Sequence, residues 1–322
     1  MSSLFRALSP FLLLSVLMGC GAQDPTAEKP VDQARHIIAV NSPLAYFAGR
    51  LLGGASDVIM PAPADTDPAQ WRPGIADIES LQAAELVLLN GAGYSPWLSR
   101  VALSDNRTIN TGEPVSERWI ALDHQVSHSH GPEGEHAHSG YAFTTWMDLA
   151  LAAAQAQAMA SALQAAFPDH AEAISAQLVA LLEDLRALDS AYAKAVAPLR
   201  GRQVIYSHPV YQYFEARYQL PGLSLHWEPD SMPDEKQWSE LEGVRQADTL
   251  FIWESEPDSA IADRLRSLGV EQVTVDPGAN IQGDWLQLQH DNVRALQSAT
   301  GAGALPESKR SSGGLGCPAQ AW

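Results

Sequence analysis

The order of apolar runs and helical patterns constrains the fold of this 322-residue chain most strongly. The two alternate in two stretches, and one long helical pattern separates these stretches. The strand-like runs are 36–40, 57–60, 85–90 and 119–123 in the first stretch, and 203–207, 223–227, 249–253 and 271–275 in the second. Such alternation is typical of parallel sheets covered by helices. We therefore predict an α/β fold of two lobes, each with a parallel four-stranded sheet flanked by helices.

The long helical pattern lies between the two lobes. Asp169 and Glu172 are spaced as a capping box, and apolar residues recur at helical spacing from Ile174 to Val196. This predicts one joining helix of about 28 residues, roughly 40 Å long. The expected boundaries are 1–19 (signal peptide), 20–34 (lipidated N-terminus and tether), 35–168 (N-terminal lobe), 169–198 (joining helix), 199–300 (C-terminal lobe) and 301–322 (flexible tail).

The N-terminus has the pattern of a secretion signal. Arg6 precedes a short apolar run at 11–18, and the run ends in Leu-Met-Gly-Cys at Cys20. This resembles the lipobox of bacterial lipoproteins, in which the cysteine is lipidated. The alternative is an ordinary signal peptide with an incidental cysteine. The lipoprotein interpretation predicts a periplasmic or extracytoplasmic protein anchored by lipid to a bacterial membrane. It leaves Cys317, the only other cysteine, without a partner for an intrachain disulfide.

The net charge argues against one class of function, and the motifs argue against another. The formal net charge of −18 disfavours nucleic acid as a partner. The sequence contains no P-loop, no GxSxG elbow and no GxGxxG after a strand, so it gives little support to an enzyme. We expect a monomeric binding protein.

The ends of the second set of strand-like runs carry the residues of a candidate metal site. His208, Glu228, Glu254 and Asp276 follow the four runs, and His226 lies within one of them. Ligands of parallel α/β sheets bind beyond the carboxyl ends of the strands. Imidazole and carboxylate groups suit Zn²⁺ or Mn²⁺. A purely structural role for His208 is the alternative.

Residues 124–140 hold half of the chain's ten histidines, and these five are His124, His128, His130, His136 and His138. Neutral imidazoles bind Zn²⁺ and other transition metals. The glycines and Pro132 predict a flexible loop without a stable element, so metal binding has to order it at an entropic cost. The alternative is a solvated loop without a physiological role.

Several stretches resemble one protein family. NSPLAYFAGRLLGG (41–54), VIYSHPVYQYFEARYQLPG (204–222) and FIWESEPDSAIADRLRSLGVEQVTVDPGA (251–279) resemble the metal-binding lipoproteins of zinc and manganese ABC importers, the cluster A-I substrate-binding proteins. The resemblance covers nearly all of 36–299. It implies capture of a divalent transition metal, zinc first and Mn²⁺ as the alternative, and its delivery to an ABC permease in the cytoplasmic membrane. It also implies that the joining helix limits lobe movement.

The same resemblance implies four cleft ligands, of which this chain has two. His208 and Asp276 stand at the third and fourth positions, whereas the first and second are Ala69 and Thr144. We expect His208 and Asp276 to be joined by at least one replacement ligand. The candidates are Glu228, His226, Glu254, Gln70 or a histidine of the 124–138 loop.

Three further interpretations stay open, two of the cleft and one of the whole chain. The cleft could bind a metal chelate or small organic ligand between Trp71, Trp146 and Trp227, although packing is the simpler role for the first two. It could also be degenerate, with only the loop binding metal. Finally, the chain could be a metal buffer or an adhesin-type lipoprotein without a transporter.

Overall fold

The structure is a computed structural model, and it describes residues 36–122, 126–129, 135–138 and 140–301. The first sheet contains β1 (His36–Ala39), β2 (Asp57–Ile59), β3 (Leu86–Leu89) and β4 (Thr108–Asn110). All three pairings are parallel, and the strand order is β2-β1-β3-β4. The predicted four-stranded parallel sheet of the first lobe is therefore confirmed.

The prediction of its fourth strand at 119–123 was wrong. The strand is 108–110, and Ala121 makes only an isolated bridge to Tyr141. The half-buried edge strand β4 carries only one large apolar residue, Ile109, so it gives no continuous apolar run. The apolar character of 119–123 has another cause, because the indole of Trp119 packs over the turn after β3. A Cβ at Gly91 would lie 2.8 Å from that ring.

Helices α1 (Ser42–Leu52), α2 (Ile75–Ala83) and α3 (Leu149–Ala166) belong to this lobe. The Asn41 side chain caps α1 by accepting from the Leu44 amide at 3.1 Å, and the helix ends at Gly53 with φ of 57°. Asp148 caps α3 in the same way, through the Ala150 amide at 2.9 Å.

The joining helix is α4 (Ala171–Val196), with 26 residues. It confirms the predicted long helix. The predicted capping box was wrong, because Asp169 lies in a short 3-10 turn at 168–170 and the N-cap is His170, without a side-chain cap. Proline at 168 favours that tight turn before the helix. Helix α4 packs against α1 and α3 of the first lobe.

The second sheet contains β7 (Val204–Tyr206), β8 (Leu223–Ser224), β9 (Leu250–Trp253) and β10 (Glu271–Thr274). All pairings are parallel in the order β10-β9-β7-β8, which confirms the second predicted sheet. The flanking helices are α5 (Gln212–Tyr218), α6 (Glu235–Val244), α7 (Ser259–Ser267) and α8 (Trp285–Thr300). Strand β8 ends at Ser224, so the placement of His226 within a strand was wrong.

Residues of the histidine-rich stretch form a two-stranded antiparallel hairpin of β5 (Val126–Ser129) and β6 (Glu135–His138). The expectation that this stretch has no regular element was therefore wrong. The antiparallel pairing brings His128 opposite His136.

One hydrophobic core extends through both lobes. It includes residues of both sheets, of α4 and of α8, and Trp285 of α8 packs edge-on to Phe47 of α1 at 5.3 Å between ring centroids. A smaller cluster around Trp227, Trp238 and Phe251 covers one face of the second sheet. None of the helices in the described ranges combines the length and apolarity needed to cross a bilayer.

Hydrogen bonds also fasten one lobe to the other. The Tyr213 hydroxyl donates to the Ala142 carbonyl at 2.9 Å and accepts from the Ile120 amide at 3.1 Å. The Ser42 amide donates to the Ala279 carbonyl at 2.9 Å. Buried bonds of this kind fix the lobes in one arrangement, because separating the lobes would leave polar groups unpaired.

Candidate metal site

The carboxyl edge of the second sheet gathers four of the five predicted residues from neighbouring strands. His208 comes two residues after β7, and Glu254 follows β9 directly. His226 and Glu228 lie beyond β8, the edge strand next to β7. Parallel strands end on the same side of a sheet, so these side chains converge.

His208, Glu228 and Glu254 form a compact cluster whose metal-ligating atoms lie within 4.8 Å of one another. The imidazole of His208 is buried, at 5% exposure. Its Nε2 is 3.7 Å from Glu228 Oε1, and its Nδ1 is 3.3 Å from Glu254 Oε1. In the part of the chain that the structure describes, no other group of histidine, cysteine or acidic residues meets this spacing.

Two further predicted residues border the cluster without joining it. The exposed ring of His226 packs edge-on to His208, with 5.8 Å between centroids. Asp276 follows β10, and its Oδ1 accepts from the Gly278 amide at 2.7 Å. The Asn292 side chain bonds the Asp276 backbone on both sides. Its Nδ2 donates to the Asp276 carbonyl at 2.7 Å, and its Oδ1 accepts from the Asp276 amide at 3.1 Å. The His208 imidazole pairs with Glu228 and Glu254, and a shared ion between His208 and Asp276 stays a prediction.

Glu254 lies among other carboxylates. Burial, together with the charges of Glu228, Asp67 and Asp276, raises the pKa of Glu254 to about 8. Burial also raises the pKa of Asp276, an effect that the Gly278 amide partly offsets. Among the described residues, His208 is the only histidine, lysine or arginine that pairs with Glu254. A bound divalent cation would relieve the repulsion among these carboxylates.

The N-terminal positions that the resemblance marks as ligands have structural contacts. Ala69 is buried, at 2% exposure. The Thr144 hydroxyl donates to the Val210 carbonyl of the other lobe at 2.6 Å. Gln70 Nε2 donates to Asp67 Oδ2 at 3.4 Å, which occupies its amide nitrogen. Asp67, whose charge acts on Glu254, was not among the predicted residues. The only sequence signal for it is its place in the 67–70 turn.

The three tryptophans proposed as walls for an organic ligand are packed in the core. Trp71 meets Trp97 edge-on, and Trp146 Nε1 donates to the Pro277 carbonyl at 2.8 Å. Trp227 is 2% exposed and packs against Trp238 at 4.8 Å between centroids. Packing is therefore the role that the structure gives to all three.

The remaining predicted residues are only partly covered by the described ranges. His128, His136 and His138 lie on the backbone of the β5–β6 hairpin. Cys20, Cys317, His124 and His130 lie outside the described residues.

Comparison with known proteins identifies related chains. The family described as zinc-uptake complex component A, periplasmic (ZnuA) matches residues 37–299. The zinc-binding lipoprotein AdcA of Streptococcus pneumoniae is 21% identical over 304 residues, covering 90% of this chain and 60% of AdcA. The manganese-binding lipoprotein MntA of Halalkalibacterium halodurans is 26% identical over 218 residues, covering 67% of this chain and 68% of MntA. This chain thus spans about 60% of the length of AdcA.

Solved structures share the fold. The Zn(II)-bound ZnuA-like domain of S. pneumoniae AdcA superposes with a TM-score of 0.68 at 18% identity, covering 83% of this chain and 98% of that domain. A crystal structure of ZnuA gives a TM-score of 0.67 at 21% identity, covering 83% and 99%. These similarities confirm the two-lobed α/β fold. Since the family model covers most of the sequence, the chain belongs to the family of the periplasmic component A of zinc-uptake complexes.

Proposed function

We propose that this chain is an extracytoplasmic substrate-binding protein that captures a divalent transition metal and delivers it to an ABC permease. The observation that carries the proposal is the cluster of His208, Glu228 and Glu254 at the carboxyl edge of the second sheet. Zinc is the proposed cargo and Mn²⁺ the alternative. The names of related proteins, zinc-binding AdcA and manganese-binding MntA, support both.

The geometry suits reversible capture. His208 Nδ1 is 3.3 Å from both the Trp227 carbonyl and Glu254 Oε1, and Nε2 lies on the side of Glu228. We propose the tautomer with hydrogen on Nδ1, which leaves Nε2 as the ligand atom. With one carboxylate oxygen each from Glu228 and Glu254, this gives three protein ligands. Zinc sites with three protein ligands keep an open fourth position. An open position allows ligand exchange, which a protein that must release its cargo requires.

Asp276 and His226 remain proposed contributors around these three ligands. The charge of Asp276 acts on Glu254, and the ring of His226 lies beside His208. The hairpin histidines are proposed as a second, weaker metal-binding element that captures ions for the cleft. We further propose that Cys20 carries a lipid anchor, an inference that the lipoprotein names of AdcA and MntA support.

The first test is calorimetric titration of zinc into protein beginning at residue 21, beside a variant lacking 124–138. We expect the deletion variant to retain one tight site. In that background, His208→Ala should weaken zinc binding at least about 100-fold, because it removes the only imidazole of the cluster. His170→Ala, which removes an exposed histidine at the start of α4, is the matched control and should bind zinc normally.

Two outcomes would count against the proposal. Loss of all binding on deletion of 124–138 would leave the loop as the only metal-binding element. Unchanged binding by His208→Ala would place the ion elsewhere. Delivery is tested separately, by comparing zinc uptake in cells that express the unsubstituted chain or His208→Ala as their only copy. Equal uptake by the two would contradict a transport role of this site.

A further inference from the structure

We propose that Ser207 is a positioning residue that sets the spacing of the three proposed metal ligands, His208, Glu228 and Glu254. This inference rests on the proposed function and deepens it. Ser207 lies between the end of β7 and His208, and it is fully buried, at 0% exposure. It is not itself proposed as a ligand. Its contacts are with the backbone of the two segments that carry the glutamates, and it acts on the metal through them.

The hydroxyl of Ser207 holds the segment that carries Glu254. The parallel pairing of β7 and β9 includes a bond from the Leu250 amide to the Gln203 carbonyl at 3.0 Å, and one from the Ser207 amide to the Ile252 carbonyl at 2.8 Å. Continued in the same register, this ladder would next bond the Glu254 amide to the Ser207 carbonyl. The Glu254 amide instead donates to Ser207 Oγ at 3.2 Å. The side chain thus takes the ladder position of the carbonyl at the point where β9 ends.

The carbonyl of Ser207 holds the segment that carries Glu228. It accepts from the Trp227 amide at 2.9 Å, on the side of β7 that faces β8. Trp227 directly precedes Glu228, and its ring is buried against Trp238. The Trp227 carbonyl lies 3.3 Å from Nδ1 of His208. One residue therefore bonds the backbone on both sides of the imidazole that follows it.

These bonds fit the placement of the two glutamates around the imidazole. Glu254 Oε1 is 3.3 Å from His208 Nδ1, and Glu228 Oε1 is 3.7 Å from Nε2. A metal site keeps its affinity only when supporting hydrogen bonds hold its ligands close to their productive positions. The hydroxyl of Ser207 supplies such a bond to Glu254, because it fixes the backbone from which that carboxylate extends.

The other bonds of this arrangement do not depend on the Ser207 side chain. The two glutamate segments also meet further along the chain, where the Asp258 amide donates to the Pro229 carbonyl at 2.7 Å. This bond and the one from Trp227 to the Ser207 carbonyl involve backbone atoms alone. Ser207→Ala therefore removes the acceptor of the Glu254 amide and leaves the backbone bonds in place. We expect the end of β9 to shift and the metal to bind more weakly.

The first experiment compares Ser207→Ala with Ser95→Ala in the variant lacking 124–138. Ser95 is a buried serine of the N-terminal lobe whose hydroxyl makes no hydrogen bond within the described ranges, so it is a matched control. Zinc affinity is measured by calorimetry, and the ligand arrangement by the visible d–d absorption at saturating Co²⁺. We expect Ser207→Ala to weaken zinc binding about 10- to 100-fold and to change the Co²⁺ spectrum. Ser95→Ala should change neither quantity.

The second experiment needs no metal and uses the chain with residues 124–138 intact. Hydrogen exchange of backbone amides is followed by mass spectrometry in the presence of a chelator. In Ser207→Ala, peptides that cover Glu254 should exchange faster than in the parent, because the Glu254 amide has lost its acceptor. Peptides from α4 should exchange at the parent rate, which shows that the variant is folded.

The inference is overturned if Ser207→Ala binds zinc within about twofold of its parent with an unchanged Co²⁺ spectrum. Unchanged exchange around Glu254, faster exchange throughout the chain, or an equal loss of affinity in Ser95→Ala would each count against it as well. His208→Ala separates this inference from the proposed function. If His208→Ala abolishes binding while Ser207→Ala binds normally, the proposed function stands without Ser207. Normal binding by both variants would refute both.

Discussion

At the scale of single residues, Glu254 makes the metal-free protein sensitive to pH. Its pKa in the folded state is about 8, above the usual 4.5, because burial and three neighbouring carboxylates disfavour its charge. Between these two values the folded state binds more protons than the unfolded state. The contribution of Glu254 to stability is therefore complete below about pH 4.5 and is lost as the pH rises through 8.

We predict that Glu254→Gln makes the metal-free protein more stable at pH 8 and flattens the fall of stability between pH 5 and 8. The scale is about 1.4 kcal/mol for each unit of pKa shift. The measurement is urea unfolding in the presence of a chelator at several pH values. Glu256→Gln, which removes a carboxylate two residues further along that is outside this cluster, is the control. Parallel pH profiles for Glu254→Gln and its parent would refute this account.

The residues of the site could be predicted only in part. Their places at strand ends identified His208, Glu228 and Glu254, because parallel strands bring their carboxyl ends together. Which carboxylates face the imidazole depends on side-chain directions and loop paths that periodicity does not encode. Asp276 Oδ1, for example, accepts from the Gly278 amide, and Asn280 donates to the Thr66 carbonyl from a position 214 residues away along the chain.

At the scale of elements, continuous apolar runs predicted the buried strands well. Strand β4 was missed because an edge strand needs little apolar character when it pairs on one side only. The prediction of a strand at 119–123 was wrong because that apolar run has a different role. Its Trp119 packs on a turn rather than in a sheet. Helix α4 was the clearest element, because its apolar residues repeat at helical spacing over seven turns.

Helix α4 should contribute strongly to stability through its buried face. Leu181 is 0% exposed, whereas Val179 on the same helix is 60% exposed. We predict that Leu181→Ala lowers the free energy of unfolding by about 2–5 kcal/mol, from lost burial and the cavity left behind. Val179→Ala should change it by less than about 0.5 kcal/mol. Chemical denaturation of both variants measures the difference. Equal effects would show that α4 is not anchored by this face.

At the scale of the whole molecule, the two lobes share one core. Residues of both sheets, of α4 and of α8 pack in a single hydrophobic cluster. Bonds across the lobes come from Thr144, Trp146 and Tyr213, none of which depends on a bound ion. The resemblance implied a rigid joining helix, and these contacts give a physical reason for rigidity beyond the helix itself.

We therefore predict that metal binding leaves the arrangement of the lobes nearly unchanged. Small-angle X-ray scattering should give radii of gyration for the metal-free and zinc-loaded protein that agree within about 1 Å. The double variant Trp146→Phe and Tyr213→Phe removes two inter-lobe donors while keeping aromatic rings in the core. Its metal-free form should be larger than its zinc-loaded form. A clear contraction of the unsubstituted protein on zinc binding would instead indicate a hinge, which requires these bonds to break in the metal-free state.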